Sequence, residues 1–286
     1  MMSMPLREDK KRISNAIIEK INLCNIELFA VIKDKFNEIR EIYPLVEFVI
    51  SRLSTVTDLA INEQMWDAEI IYRAALEGAI KLVFITTADE QEKNLRIREY
   101  WTDLSEINSI KISEQAKRSI KARGMADTSI LIFKPLVLDE NQEAVLRSKW
   151  PRPKRHQLEQ KWSFSEMIAS ISSVQEGKTF DGIVGLLHSY RMASHISHAD
   201  ETGVSIIMER EQRTSDEKEI VKMAHFTRLL VDPFYLCLML GLQICQFAKV
   251  NPAFFVNLSK FDDSTNELIS KYLTLLKEDK VYDRYR

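Results

Sequence analysis

The chain has 286 residues, of which 45% are hydrophobic and 29% are charged, and its formal net charge is −2. A net charge so close to zero gives no global attraction to nucleic acid or to an anionic membrane, so any anion site must be a local basic patch. Glycine and proline are scarce, at 7 residues each. This composition favours long helices, and we predict an all-α fold, a helical bundle with long antiparallel helices.

Apolar residues recur at helical spacing through the first 123 residues. Pro44 marks a break, and Gly124 is predicted to cap the last of these helices in the left-handed conformation. The buried face of the first helix is predicted to consist of Ile13, Ile17, Ile21, Cys24, Leu28, Val31 and Ile32. The predicted helices cover residues 8–41, 45–61, 63–87, 90–112 and 113–123.

Residues 124–162 interrupt this pattern with a short apolar run, prolines on both sides of Arg152, and a cluster of basic residues. We interpret them as an ordered insertion or linker with one short helix over 139–149. Cations beside tryptophans suit phosphate pairing and base stacking on single-stranded nucleic acid. The alternative is a solvated loop whose tryptophans pack onto the core. The candidate nucleic-acid-binding residues are Lys149, Arg152, Lys154 and Arg155.

On this pattern the chain divides into three parts. Residues 1–44 form an N-terminal helix that packs on the core, residues 45–250 form a helical core domain with the basic insertion, and residues 251–286 carry a C-terminal helix. The helices expected after the insertion cover residues 163–173, about 216–248 and 262–280.

Cysteine usage and the N-terminal composition favour a cytoplasmic protein without membrane contact. The three cysteines lie far apart within apolar helical pattern, which is typical of reduced, buried thiols, and no Cys/His spacing supports a zinc site. The N-terminus has no signal-peptide core. The most apolar stretch, 229–248, contains Asp232 and Pro233, so we expect a core helix rather than a membrane span. We expect no cofactor and no bound metal.

Three of the five histidines fall within residues 186–200, which read as one short helix. Because each helical residue turns by about 100°, three imidazoles, one guanidinium and two hydroxyls fall on one side of it. Such groups cost free energy when buried without partners, and clustered titratable groups concentrate at functional sites. We therefore place the function on this helix. The residues on this side are His188, Tyr190, Arg191, Ser194, His195 and His198.

A charged triad lies in the third predicted helix, where Glu69, Arg73 and Glu77 share one face. Charges in so apolar a helix are costly unless they are paired. One interpretation is an internal ion pair that fixes helix register. The other is that Arg73 and Glu77 face the histidine-bearing helix and complete a site. Glu77 would then orient an imidazole or guanidinium, and Arg73 would hold an anion.

Two spaced motifs resemble a family of all-α bacterial and archaeal proteins of uncharacterised function. The first is Arg73-x3-Glu77 on one helix. The second, far downstream, is Tyr190-x3-Ser194-x3-His198 on another helix. The family pairs two such helices, so the resemblance implies that these two segments belong to one site.

The resemblance to this family covers about residues 45–250. The family in turn resembles the HEPN superfamily. HEPN proteins are helical bundles, often dimeric, and many are metal-independent ribonucleases of toxin or phage-defence systems with an Arg-x4–6-His motif. Arg191 and His198 have six residues between them and fit this spacing, whereas Arg191 and His195 have three. Active members commonly carry a polar residue after the arginine, where this chain has Met192.

The resemblance implies a complete chemistry for RNA cleavage. A base must activate the 2′-hydroxyl, a cation must stabilise the phosphorane, and an acid must protonate the leaving oxygen. Arg191 would clamp the phosphate and His198 would act as acid or base. Two copies related by a two-fold axis would bring two such sets together. The candidate catalytic residues are Arg73, Glu77, Tyr190, Arg191, Ser194, His195 and His198.

Three functions remain open at this point. The first is a HEPN-like endoribonuclease that acts on RNA as a homodimer, with a cognate antitoxin or defence-system protein. The second is a non-catalytic helical module that binds RNA, a nucleotide or a partner protein through the same pocket. The third is a metal-dependent hydrolase in which the histidines combine with Glu69, Glu77 or Asp200.

Overall fold

The computed structural model describes residues 4–123, 130–174 and 183–278. Regular structure within these ranges is helical and includes no strand, which confirms the predicted all-α fold. Gly124 lies outside the described residues. The helices are α1 (Met4–Asp34), α2 (Phe36–Ile39), α3 (Tyr43–Ile61), α4 (Met65–Thr86), α5 (Glu90–Arg98), α6 (Leu104–Arg123), α7 (Ile130–Phe133), α8 (Glu140–Lys149), α9 (Arg152–Lys161), α10 (Phe164–Val174), α11 (Leu186–His198), α12 (Glu201–Glu211), α13 (Ser215–Phe247), α14 (Ala253–Leu258) and α15 (Asp263–Glu278).

The chain forms two compact units. The first joins Met1–Thr86 to Ile171–Arg286, and the second is Thr87–Ser170. The segments predicted as N-terminal and C-terminal parts, 1–44 and 251–286, both belong to the first unit, and the predicted insertion lies within the second. The predicted three-part division stays a prediction.

The core of the first unit forms where α1, α3 and α4 pack against α13. All seven apolar residues predicted for the inner face of α1 are buried, which confirms that face. The helix α13 starts with a capping box, in which Thr214 and Glu217 satisfy each other's backbone N–H groups. Its Pro233 lies inside the helix and is buried.

One helix in the described part of the chain, α13, is long and apolar enough to cross a membrane by length and composition. The same properties fit the core helix of a soluble protein, and 72% of its most apolar stretch is buried inside the protein. This burial agrees with the core helix expected for residues 229–248.

Two predicted boundaries in the second unit are wrong. The sequence predicts helices over 90–112 and 113–123. In the structure the division lies instead at a π-helical turn, Glu99–Asp103, and α6 then continues through Ser113. Ser113 is buried there without cost because its hydroxyl accepts a 3.0 Å hydrogen bond from the backbone N–H of Leu138.

The helix α9 was not predicted. Pro151 is its N-cap and Pro153 lies in its first turn. A proline there costs nothing, because the first helical N–H groups have no intrahelical acceptor. The two prolines therefore start a helix in a stretch that we interpreted as a linker.

Candidate functional site

The helix α11 carries the predicted site and ends abruptly. Ala199 follows it with φ of 47°, in the left-handed region that terminates helices. Asp200 then caps α12, and its carboxylate accepts a 3.0 Å hydrogen bond from the backbone N–H of Gly203. A Cβ atom on Gly203 would lie 2.4 Å from the carbonyl oxygen of His195. The two helices therefore approach closely because residue 203 has no side chain.

The polar side of α11 divides into two edges with different surroundings. His188, Arg191 and His198 are exposed. Tyr190 is half-buried on the edge that contacts α4, and Ala193 is completely buried. The predicted single polar face thus consists of two edges. One presents imidazole and guanidinium groups to solvent, and the other attaches α11 to the core.

The attaching edge is built on Tyr190. Its hydroxyl accepts a 3.0 Å hydrogen bond from Nη2 of Arg73 and donates one of 3.3 Å to Oε2 of Glu77. The Arg73 guanidinium also lies 4.9 Å from the centroid of the tyrosine ring. Oε1 of Glu77 accepts from Lys81 at 2.8 Å. The two helices predicted to share a site are therefore joined, as the two motifs imply.

The charges of this network stay in place because each has a partner. Burial opposes ionisation of Glu77, but Lys81 and the nearby Arg73 hold the pKa of this carboxyl below its ordinary value. Burial and the Glu77 charge raise the pKa of the Tyr190 hydroxyl, which keeps its proton. Nε of Arg73 is buried with no hydrogen-bond partner among the described residues. Arg73 therefore retains one donor for a further acceptor.

Glu69, Arg73 and Glu77, the charged triad of α4, contact residues on two other helices. Arg73 and Glu77 face α11, whereas Glu69 is buried and faces α13. Within the described ranges, neither Arg73 nor Glu77 forms a hydrogen bond with His198. The candidate residue on α11 that both of them contact is Tyr190.

His195 and Asp200 form an ion-pair geometry at the end of α11, with 2.6 Å between Nδ1 and Oδ2. The hydrogen bond from His195 lowers the pKa of Asp200. This contact occupies one imidazole nitrogen of His195. No group of three or more His, Cys, Asp or Glu side chains within the described residues could hold a metal ion.

A buried polar layer on the other side of α4 was missed by sequence reasoning. Oε1 of Glu69 lies 2.6 Å from Nε2 of His225 and also binds Arg228. Nδ1 of His225 lies 2.7 Å from Nη1 of Arg210. Burial and the Arg210 charge hold the pKa of His225 well below its ordinary value, so the ring is neutral. Nε2 therefore carries the proton and donates to Glu69, while Nδ1 accepts from Arg210.

Arg210 is held in one place by two contacts of different kinds. It donates to His225, and its guanidinium lies 4.6 Å from the centroid of the Trp66 ring. The only sequence signal for this layer was Glu69, whose charge in an apolar helix demanded a partner. Nothing in the spacing of the chain identified that partner.

The basic stretch of the second unit has its tryptophans buried. Trp150 and Trp162 are 4% and 6% exposed, and their indole N–H groups donate to Glu106 and Glu99. This matches the alternative in which the tryptophans pack onto the core. Lys149 is paired with Glu106 at 2.6 Å. Binding of nucleic acid by Lys149, Arg152, Lys154 and Arg155 stays a prediction.

Comparison of the chain with family models, with curated proteins and with solved structures gives no match. The relationship to HEPN proteins therefore rests on the motifs alone.

Proposed function

We propose that this chain is a HEPN-like, metal-independent endoribonuclease of a toxin or phage-defence system, with its site on the exposed edge of α11. The proposal is supported by one observation: Arg191 and His198 are both exposed on this helix. Seven positions separate them by about 20° around the helix axis and about 10 Å along it. A guanidinium and an imidazole thus face the same substrate.

The chemistry needs only these two groups and a proton donor. His198 takes the proton of an RNA 2′-hydroxyl, whose oxygen attacks the adjacent phosphorus. The bond from phosphorus to the 5′-oxygen breaks, which leaves a 2′,3′-cyclic phosphate and a 5′-hydroxyl. Arg191 binds the phosphate and stabilises the charge that develops on its oxygens. The leaving 5′-oxygen takes a proton from a water molecule.

In a homodimer, the arginine and the histidine of each site come from different chains. A two-fold axis perpendicular to α11 between Ser194 and His195 makes the two copies of the helix antiparallel. Arg191 of one copy then lies opposite the partner subunit's His198. Each of two composite sites contains one arginine and one histidine from different chains.

In this proposal the remaining candidate residues position the helix. Arg73, Glu77 and Tyr190 attach α11 to α4, and His195 with Asp200 attaches its end to α12. Ser194 immediately precedes His195 and is half-buried. RNA is the substrate, and a cognate antitoxin or defence-system protein restrains the enzyme in the cytoplasm.

The direct test is incubation of the purified protein with total RNA in EDTA. We expect cleavage that leaves cyclic phosphate ends and is lost in Arg191→Ala and His198→Ala proteins. The matched controls are Arg40→Ala and His156→Ala, which remove an exposed arginine and an exposed histidine elsewhere. Absence of cleavage by the wild type, or equal cleavage by all variants, would contradict the proposal.

Mixing the two inactive proteins tests the composite site. A heterodimer of Arg191→Ala and His198→Ala subunits has one intact site and one site that lacks both groups. Random exchange should therefore restore about a quarter of wild-type activity. No recovery after verified subunit exchange would show that each site lies within one chain.

A further inference from the structure

The first unit contains a cationic cavity that the proposed ribonuclease site does not use. Its volume is about 710 Å³, and it is lined by α1, the turn between α3 and α4, and the first turns of α13. Four of its eight lining residues are cationic and two are anionic. The net charge of the whole chain is −2, so this is a local basic patch. The cations are Arg7, Lys10, Lys11 and Lys222.

A second cavity of about 440 Å³ continues the first. The two share Glu63, Glu219 and Lys222 as lining residues. The second cavity differs in that Met65, Trp66, Val221 and His225 form part of its wall beside seven charged residues. The two cavities together make one groove, cationic at one end and aromatic at the other.

The cationic end has more positive charge than its own carboxylates neutralise. Glu63 receives Lys10 at 2.7 Å and Lys222 at 2.5 Å, which hold its pKa at about 2. Arg7 and Lys11 have no ion-pair partner among the described residues. Glu63 also has φ of 63°, a left-handed conformation that residues other than glycine rarely adopt. One carboxylate is thus placed between two lysines at the junction of the cavities.

The side chains at the aromatic end contact one another and hold one another in place. Arg210 lies over Trp66 and is fixed from behind by His225 and Glu69, as described above. The hydrogen bond between His225 and Glu69 is buried, and that between Arg210 and His225 is partly buried. Such preorganisation lowers the ordering cost when a ligand enters.

We propose that this groove binds a nucleoside triphosphate, with the phosphates at Arg7, Lys10, Lys11 and Lys222 and the base at Trp66. A triphosphate chain carries the closely spaced negative charges that a cluster of four cations recognises. An aromatic base can stack on Trp66, which forms part of the wall of the second cavity. Each cavity has the size of a small-molecule site rather than of an extended nucleic-acid channel. The proposal is independent of the ribonuclease activity.

Calorimetric titration of the full chain in EDTA tests the phosphate end. We expect ATP to bind, and Arg7→Ala with Lys11→Ala to weaken it at least about tenfold, since two charge-assisted contacts are lost. The control is Lys33→Ala with Arg40→Ala. It removes two exposed cations that line neither cavity and should leave the affinity for ATP within about twofold. Removal of Glu63 in Glu63→Gln frees two lysines and should tighten binding.

Inorganic tripolyphosphate tests the base end. We expect ATP to bind at least about tenfold more tightly than tripolyphosphate, because only ATP reaches Trp66. Trp66→Leu should remove this advantage and leave tripolyphosphate binding unchanged, while Trp66→Phe should keep most of it. Unfolding temperatures of all variants verify folding. The proposal is overturned if ATP does not bind, if tripolyphosphate binds as tightly as ATP, or if only an RNA oligonucleotide binds.

Discussion

Arg73 on α4 donates a 3.0 Å hydrogen bond to the hydroxyl of Tyr190 on α11, across 117 positions of sequence. The same hydroxyl donates to Glu77, one helical turn after Arg73. The Tyr190 hydroxyl therefore contacts both charged residues of the Arg73-x3-Glu77 motif. In this chain the first motif supplies two charged groups, and the second supplies the hydroxyl that contacts both of them.

Removal of this bridge should weaken the attachment of α11. Tyr190→Phe deletes the hydroxyl and keeps the ring, so we expect the free energy of unfolding to fall by about 1 kcal/mol in urea titration. Tyr235→Phe makes the same change on an exposed tyrosine and should leave stability unchanged. Equal stability of the two variants would show that the bridge contributes nothing.

The buried carboxylate of Glu69 should matter more than any other single charge described. Glu69→Ala leaves His225 without its acceptor and Arg228 with Asp232 as its remaining partner, and we expect a loss of about 3–5 kcal/mol in the free energy of unfolding. Asp67→Ala, on the exposed side of the same helix, is the matched control and should change stability little. A loss below 1 kcal/mol for Glu69→Ala would contradict this account.

Stability should fall on mild acidification because of His225. Burial and Arg210 hold its folded-state pKa well below the ordinary value, while the unfolded chain protonates near pH 6.5. The unfolded state therefore binds more protons below that pH, and the free energy of unfolding decreases by up to about 1.4 kcal/mol per pH unit. Above about pH 7 this contribution is constant.

The check is denaturant unfolding at several pH values between 5 and 8. His225→Gln keeps a donor toward Glu69 and lacks a group that titrates in this range, so its curve should be flatter than that of the wild type. Parallel curves for the two proteins would show that another group carries the pH dependence.

The close approach at Gly203 offers a sharp steric test. Gly203→Ala places a Cβ 2.4 Å from a backbone oxygen of α11, which cannot move away as a side-chain end can. We expect a loss of about 1–3 kcal/mol and lower RNA cleavage, because the turn that carries His198 must shift. Gly185→Ala adds a Cβ with nothing within 4 Å and should be tolerated. Similar melting temperatures for both variants would refute this steric account.

Periodicity predicted some elements well for a physical reason. The inner face of α1 repeats over about five turns, from Ile13 to Ile32, so its seven buried positions are determined by helical geometry alone. The ion pair between Lys81 and Glu77 can also be predicted from the sequence, because Lys81 lies four positions after Glu77. The contact between Glu69 and His225 cannot be predicted in this way, because it joins residues 156 positions apart. No local spacing specifies such a pairing.

The first unit is assembled from both ends of the chain, Met1–Thr86 and Ile171–Arg286. On a ribosome, α1, α3 and α4 are therefore made long before α13, the helix that covers them. α3 and α4 can pack against each other early, but the apolar faces that α1, α3 and α4 present to α13 stay uncovered while residues 87–170 are synthesised. This order of synthesis makes the nascent chain depend on late, non-local contacts, which form slowly and leave it open to aggregation or chaperone capture until α13 emerges.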